Sequence, residues 1–419
     1  MLPLSAAWLA CGLAAMLPSS AAWLACGMAA LGMARAQTPT AMETVLHIFK
    51  ENAPQGAHPG AGVIGDSEGN LYGTAMAGGT FNLGVVYKVN AAGQVSVLYS
   101  FKGYPSDGYE PNSSVTRDSA GNLYGTTLYG GPASAGVVYK LDPAGNETVL
   151  YMFMNGADGG QPTGGVIVDS SGNLYGTTGN GGLGYGVVYT IDPAGNETVL
   201  HTFTGGTDGA GPNGPLLRDS AGNLYGTTSN GGTGPNPRGV VYKLGPAGKE
   251  TVLHDFNPDE GGSQPFGGVI RDPAGNLYGT TAFGGTAGYG VVWELSTAGQ
   301  FTVLYNFTGG QDGGNPSGSL ILDSAGNLYG TTGTYGASGD GVVYEVTQSG
   351  QEMVLYTFIG ADGNAPEGVI RNSAGDLYGA TTNGGPFGQG VVYRLDAALH
   401  ESILCGFPSR PMEANQPPV

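Results

Sequence analysis

The sequence predicts an all-β fold, and three observations carry the prediction. The tripeptide L-Y-G recurs seven times, with tyrosines at Tyr72, Tyr124, Tyr175, Tyr225, Tyr278, Tyr329 and Tyr378, at spacings of 52, 51, 50, 53, 51 and 49 residues. Each unit holds four short apolar runs rich in Val, Leu, Tyr, Thr and Phe, a composition that favours strands over helices. Between the runs stand turn sequences such as D-x-x-G-N and D-P-A-G-N. There Asp accepts backbone N–H bonds, Pro presets φ, and Gly supplies a left-handed residue that closes a hairpin.

In the third unit the runs read GGVIVD (strand a), NLYGTT (b), GVVYTI (c) and TVLHTF (d). The a–b and c–d connections are tight, so both pairs are antiparallel hairpins. Four antiparallel strands in about fifty residues make one propeller blade, and seven copies can close a ring. The expectation is therefore a seven-bladed β-propeller with four antiparallel strands per blade. A β-solenoid is the rival, but its coils are shorter and need no fixed copy number. Runs b and c are apolar on both faces, as in GVVYKL at 136–141, which suits strands sandwiched between neighbouring blades. The aromatic of c recurs as Tyr87, Tyr139, Tyr189, Tyr242, Trp293, Tyr344 and Tyr393, all expected in the core.

There are seven a-b-c sets but eight d-type runs, from 43–49 to 401–407. Loop-closure cost favours the C-terminal run as the outer strand of the seventh blade. Against it, Leu399 stands where other turns place Gly, and Cys405 and Gly406 replace stronger strand formers. Residues 43–49 are thus expected to pair with the strand at 390–395 and latch the ring, so that the repeat domain spans 43–407.

Of 419 residues, 80 are Gly and 26 Pro, yet 40% are hydrophobic, so a folded repeat domain rather than disorder is expected. Basic residues number 14 against 32 acidic, and a net charge of -18 argues against nucleic acid and anionic lipid as partners. No charge precedes Arg35, and Ala34-Arg35-Ala36 is an A-x-A cleavage site. Residues 1–36 thus read as a secretory signal, 37–42 as a linker and 408–419 as a disordered tail. A membrane partner is expected only if the N-terminal segment is retained as an anchor. Cleavage would leave Cys405 as the sole thiol, and an exported domain without disulfides must be held by burial and hydrogen bonds.

The pattern D-x-x-G-N-L-Y-G-T-T…G-G…G-V-V-Y over about residues 43 to 407 resembles the bacterial exported proteins built from GloVer tandem repeats. The resemblance implies export and a propeller, and supplies no catalytic residues. Many members carry a C-terminal anchoring segment, which PSRPMEANQPPV does not match.

Zincin, nucleophile-elbow, paired C-x-x-C and D-x-D-x-D-G calcium motifs are absent from the sequence. The G-x-G-x-x-G at 179–184 lies between strands, without the helix that phosphate binding needs. His47, His201 and His254 share the strand-d position that holds Tyr99, Tyr151, Tyr305 and Tyr356 in other copies, which marks a packing position. His58 and His400 have no repeat partners.

Antiparallel order puts the b–c and d–a loops on one face, and the b–c loops vary most, making that face the expected binding surface. They present Phe81, Tyr129, Tyr185, Phe283, Tyr289, Tyr335 and Phe387, candidates for stacking on a glycan or peptide, or for covering the blade ends. The d–a loops repeat D-G-x-x-P with Asp107, Asp158, Asp208, Asp312 and Asp362; the first copy has Gln55 instead, and in the fifth Asp259-Glu260 is displaced. Such a ring would suit Ca²⁺ or a cationic ligand, although Asp-Gly before Pro is also an ordinary turn.

No repeat shows a break that places special polar residues on the channel. The expectation is accordingly an exported, monomeric, non-enzymatic module without a cofactor, binding an envelope glycan or protein. The alternative is a propeller hydrolase or lyase with a Ca²⁺-assisted acidic site.

Overall fold

The computed structural model describes residues 44–48, 55–233, 237–257 and 261–397. The segments expected to be signal, linker and tail, the 401–407 run, Cys405, His400 and the Asp259-Glu260 pair lie outside the described residues, as does the side chain of His47. Among the described residues every regular element is a strand, and no helix is long and apolar enough to cross a membrane.

The strands form seven antiparallel sheets in a ring, a seven-bladed propeller. In the third blade Gly160–Val168, Leu174–Asn180, Val187–Ile191 and Glu197–Thr202 pair in chain order as a, b, c and d. Strand c is the buried one. Val187, Val188, Tyr189 and Ile191 are fully covered, and the other blades repeat this burial. Strand d is the half-exposed outer strand.

The glycine of L-Y-G has a packing reason. A Cβ on Gly226 would stand 2.5 Å from the hydroxyl oxygen of Tyr242, because the strand-c ring lies flat against the opposite strand b. Among the described residues, the strand-c aromatics Tyr139, Tyr189, Tyr242, Trp293, Tyr344 and Tyr393 are also met by the phenylalanine that ends strand d of the blade before: Phe153 lies edge-on to Tyr189 at 5.0 Å, and Phe203 to Tyr242 at 5.2 Å. Neighbouring blades are thereby locked by aromatic pairs.

The tyrosine of L-Y-G closes the a–b turn. In the first blade Asp66 accepts from Glu68 N, Asn70 N, Asn70 Nδ2 and the Tyr72 hydroxyl, all at 2.9 Å. Those hydrogen bonds outweigh burial and hold its carboxyl down at about pKa 2. In the seventh blade the two polar residues trade places, and Asn372 receives the Asp376 backbone N–H at 2.9 Å.

The ring is latched by the N-terminal run. Thr44–Ile48 pairs antiparallel with Val391–Leu395, with Val45 opposite Tyr393 and His47 opposite Val392. Even its bulge falls where the other blades have theirs, since Val97 stands opposite Tyr87 and Tyr99 opposite Val86.

Candidate functional site

The site begins at the proline of D-G-x-x-P. The residue before it adopts the left-handed region in every blade: φ is 55° at His58, 56° at Glu110, 53° at Gln161 and 60° at Gly211. For non-glycine residues this costs roughly 1–2 kcal/mol each. The strain is held by a bond across the blade junction, in which Glu110 N donates to Leu83 O at 3.0 Å and Gln161 N to Ala135 O at 2.7 Å. The proline that follows lies on the glycine opening strand c of the preceding blade. A Cβ on Gly186, whose φ is 88°, would stand 2.8 Å from Pro212 Cδ and 2.1 Å from Thr178 O.

After the proline strand a bulges off strand b. Pro162 is opposite Thr178 and Val166 opposite Gly176, so three residues of a stand against one of b. The freed segments of the seven blades line a central cavity of about 530 Å³. Glycines let the segments abut; the position of a Cβ on Gly267 is 2.8 Å from Gly318 O.

The residue directly after the proline lines this cavity and changes from blade to blade: Gly60, Asn112, Thr163, Asn213, Phe266, Ser317 and Glu367. The expectation that no repeat places special polar residues on the channel is corrected here. The difference was written in the sequence as one variable position between a repeated Pro and a repeated Val or Leu, but only the bulge shows where it points. Glu367 is the one ionisable side chain in the described lining. The seventh bulge is a residue shorter, with Pro366 opposite Thr381 and Val369 opposite Gly379. Thr382 Oγ1 donates to Glu367 Oε1 at 3.3 Å, and burial pushes the carboxyl up to about pKa 7.

The b–c and d–a loops do share a face, joined by bonds such as Gly232 N to Gly206 O at 2.9 Å. The seven loop aromatics differ in exposure. Phe81, Phe283 and Phe387 are 53%, 43% and 48% exposed. Tyr129 stacks on Tyr109 at 5.3 Å, Tyr289 meets Tyr335 edge-on at 4.8 Å, and the rings of Tyr185 and Tyr289 lie over Gly205 and Gly309. Tyr129 and Tyr289 cover loop ends, whereas Tyr185 and Tyr335, 45% and 36% exposed, stand about as open as the phenylalanines.

The d–a aspartates spend their oxygens on their own turns. Asp107 accepts from the Tyr99 hydroxyl at 2.8 Å and Lys102 N at 2.7 Å, and Asp158 from Met154 N at 2.7 Å and Gly156 N at 3.0 Å. Asp208 accepts from Thr204 N at 2.8 Å, Asp312 from Thr308 N at 2.7 Å, and Asp362 from Ile359 N at 2.8 Å and the Tyr356 hydroxyl at 2.6 Å. Among the described residues no three acidic, histidine or cysteine side chains gather as a metal-ligand group.

A feature missed in the sequence is the glutamate opening strand d. Glu147, Glu197, Glu250 and Glu352 are driven up to about pKa 7 by burial and by Asp107, Asp158, Asp208 and Asp312 in turn. At one of the two junctions whose d–a loops lack D-G-x-x-P, that before the fifth blade, Phe301 takes the glutamate position and stacks on His254 at 3.8 Å. His201 instead reaches Asp208 at 3.4 Å, as tyrosines do elsewhere. Both histidines are packed, and burial lowers both pKa values, His254 to about 4.

No curated protein matches the chain. Among solved structures it is similar to the extracellular domain of a protein described as a one component system from B. thetaiotaomicron. The identity is 12% and the TM-score 0.54, over 83% of this chain and 39% of that one. PorZ, a surface component of the type-IX secretion system of Porphyromonas gingivalis, matches at 13% and 0.50 over 79% and 46%. A gluconolactonase from Xanthomonas campestris matches at 15% and 0.41 over 75% and 90%. This chain thus spans less than half the length of the first two, and identities this low show a shared fold alone. The repeat itself is matched by the model of the Gloeobacter/Verrucomicrobia repeat over residues 31–236 and 214–416, and the chain belongs to that family.

Proposed function

We propose that the protein is an extracytoplasmic binding module that takes a glycan or peptide on its loop face. The observation that supports this best is the outward exposure of Phe81, Phe283 and Phe387 on loops whose backbones are tied by hydrogen bonds. Exposed rings on a rigid frame bind with little ordering cost. The two solved structures with the higher TM-scores are an extracellular domain and a surface component, which agrees with an extracytoplasmic location. An acid–base hydrolase acting on glycosides would need a pair of carboxyls, whereas the described channel lining carries Glu367 alone.

The test is binding of the purified protein to glycan and peptide arrays, with and without Ca²⁺. Combined replacement of Phe81, Phe283 and Phe387 by Ala should abolish the signal without moving the melting temperature. Binding that survives the triple replacement removes the loop face as the site.

A further inference from the structure

We propose that the mouth of the central channel is a subsite for one neutral sugar unit, with Phe266 as its stacking platform and Glu367, Asn112, Asn213 and Ser317 as its hydrogen-bonding partners. The proposal rests on the reading of the protein as a binding module, and it places specificity in the channel rather than on the loops.

The first support is asymmetry inside a symmetric wall. The proline before the variable position and the aliphatic residue after the bulge recur in all seven blades. The residue between them differs, and all seven copies line one cavity. A wall that only had to pack would be filled alike from blade to blade, as strand c is.

The second support is free bonding capacity. Thr163 spends its hydroxyl on Pro212 O at 3.0 Å. Among the described residues, by contrast, no protein group engages the side chains of Asn112, Asn213 or Ser317. Amide and hydroxyl groups both donate and accept, and so does a carboxyl that keeps its proton near neutral pH, as Glu367 does in part. Sugar hydroxyls have the same double character. Phe266 is 36% exposed although it lines a cavity, so an apolar ring face stands open beside these polar groups. The C–H face of a pyranose covers such a ring, while its edge meets the amides.

Charge decides against the other small ligands. The described lining carries one carboxyl and no Lys or Arg, in a chain of net charge -18. Phosphates and uronates are therefore disfavoured. An amine would use Glu367 but would leave the two amides and the serine without matched acceptors.

The experiment is calorimetric titration of the full chain with cellobiose, maltose and lactose, with galacturonate and putrescine as charged comparisons. The expected result is binding of at least one disaccharide and of neither charged probe. Phe266→Ala should weaken that binding about tenfold and Phe266→Trp should keep it, with melting temperatures unchanged. Asn213→Ala should weaken it several-fold. No disaccharide binding, or binding of putrescine in its place, overturns the proposal. Disaccharide binding lost in the Phe81, Phe283 and Phe387 triple variant but intact in Phe266→Ala also overturns it, while leaving the loop-face reading standing. Loss in Phe266→Ala, whether or not the triple variant also loses binding, supports the channel subsite.

Discussion

The backbone N–H of His58 donates to the carbonyl of Gln389 at 2.8 Å, which ties the first blade to the seventh. The same bond recurs at the junctions inside the chain, for example from Asn315 N to Tyr289 O at 2.9 Å. Ring closure therefore uses the ordinary blade-to-blade joint together with one borrowed strand. Beside the joint, His58 Nδ1 lies 3.2 Å from Thr382 O, on the strand whose Thr382 hydroxyl holds Glu367. The closing junction and the most distinctive channel residue thus share one support.

The borrowed strand should be the weakest necessary part of the ring. Leu46 is 4% exposed and packs into the cluster that includes Val85, Tyr87 and Val392. Leu46→Ala should cost about 2–5 kcal/mol, and removal of residues 37–50 should lower the melting temperature far more than removal of 400–419. A larger drop from the C-terminal truncation would assign the latch to the wrong end.

Gly226→Ala tests the strand-b packing. Its Cβ would stand 2.5 Å from the Tyr242 hydroxyl oxygen and 3.1 Å from Leu216 Cδ2, both on buried side chains. The expected loss is about 1–3 kcal/mol by denaturant unfolding. Combined with Tyr242→Leu, the loss should be smaller than the sum of the two single effects, because the clashing ring is gone. Additive losses would mean that the ring is not what excludes a side chain there.

Blade number, strand order and the latch were legible because they follow from local signals that repeat: L-Y-G spacing, turn residues and a surplus strand. The channel was not, because its wall is a bulge. The alternation that predicts which face a strand residue takes breaks between Pro162 and Val166, and with it the direction of Thr163 and its six counterparts. The buried glutamates were hidden for another reason: Glu147 meets Asp107 across a blade junction, a contact made by the ring rather than by the repeat. The loop aromatics were found as a set, but the separation of the packed Tyr129 and Tyr289 from open rings such as Phe81 and Phe283 depends on neighbours such as Gly309, which only the fold brings near.

That division is testable on stability alone. Tyr129→Ala and Tyr289→Ala each remove a ring contact, with Tyr109 and Tyr335 respectively. Each should cost about 0.5–1.5 kcal/mol beyond lost area. Phe283→Ala and Phe81→Ala should leave the melting temperature unchanged. Equal losses across the four would erase the distinction between cover and contact.

The last prediction concerns pH. In the folded protein Glu147, Glu197, Glu250 and Glu352 are raised from 4.5 to about 7, first by burial and then by the facing aspartates. Below the unfolded value both states are protonated. Between 4.5 and about 7 the folded state holds protons that the unfolded chain has released, so raising the pH favours unfolding. The stability these groups contribute is thus present at the acid end of that window and lost through it. His254, lowered from 6.5 to about 4, acts in the opposite sense across the same range, and His201 is lowered too. These four glutamates, with Glu367 raised in the same sense, outweigh two histidines. Below the window the a–b turn aspartates take over: Asp66, lowered from 3.8 to about 2, loses its contribution as pH falls through those values. The melting temperature should therefore peak near pH 4.5, decline toward pH 7, and fall steeply in strong acid. Replacing all four glutamates by Gln should flatten the decline and leave the acid limb in place. A melting temperature that rises steadily from pH 4.5 to 7 in the unmodified protein would show that these carboxyls are solvated and ionised in the fold.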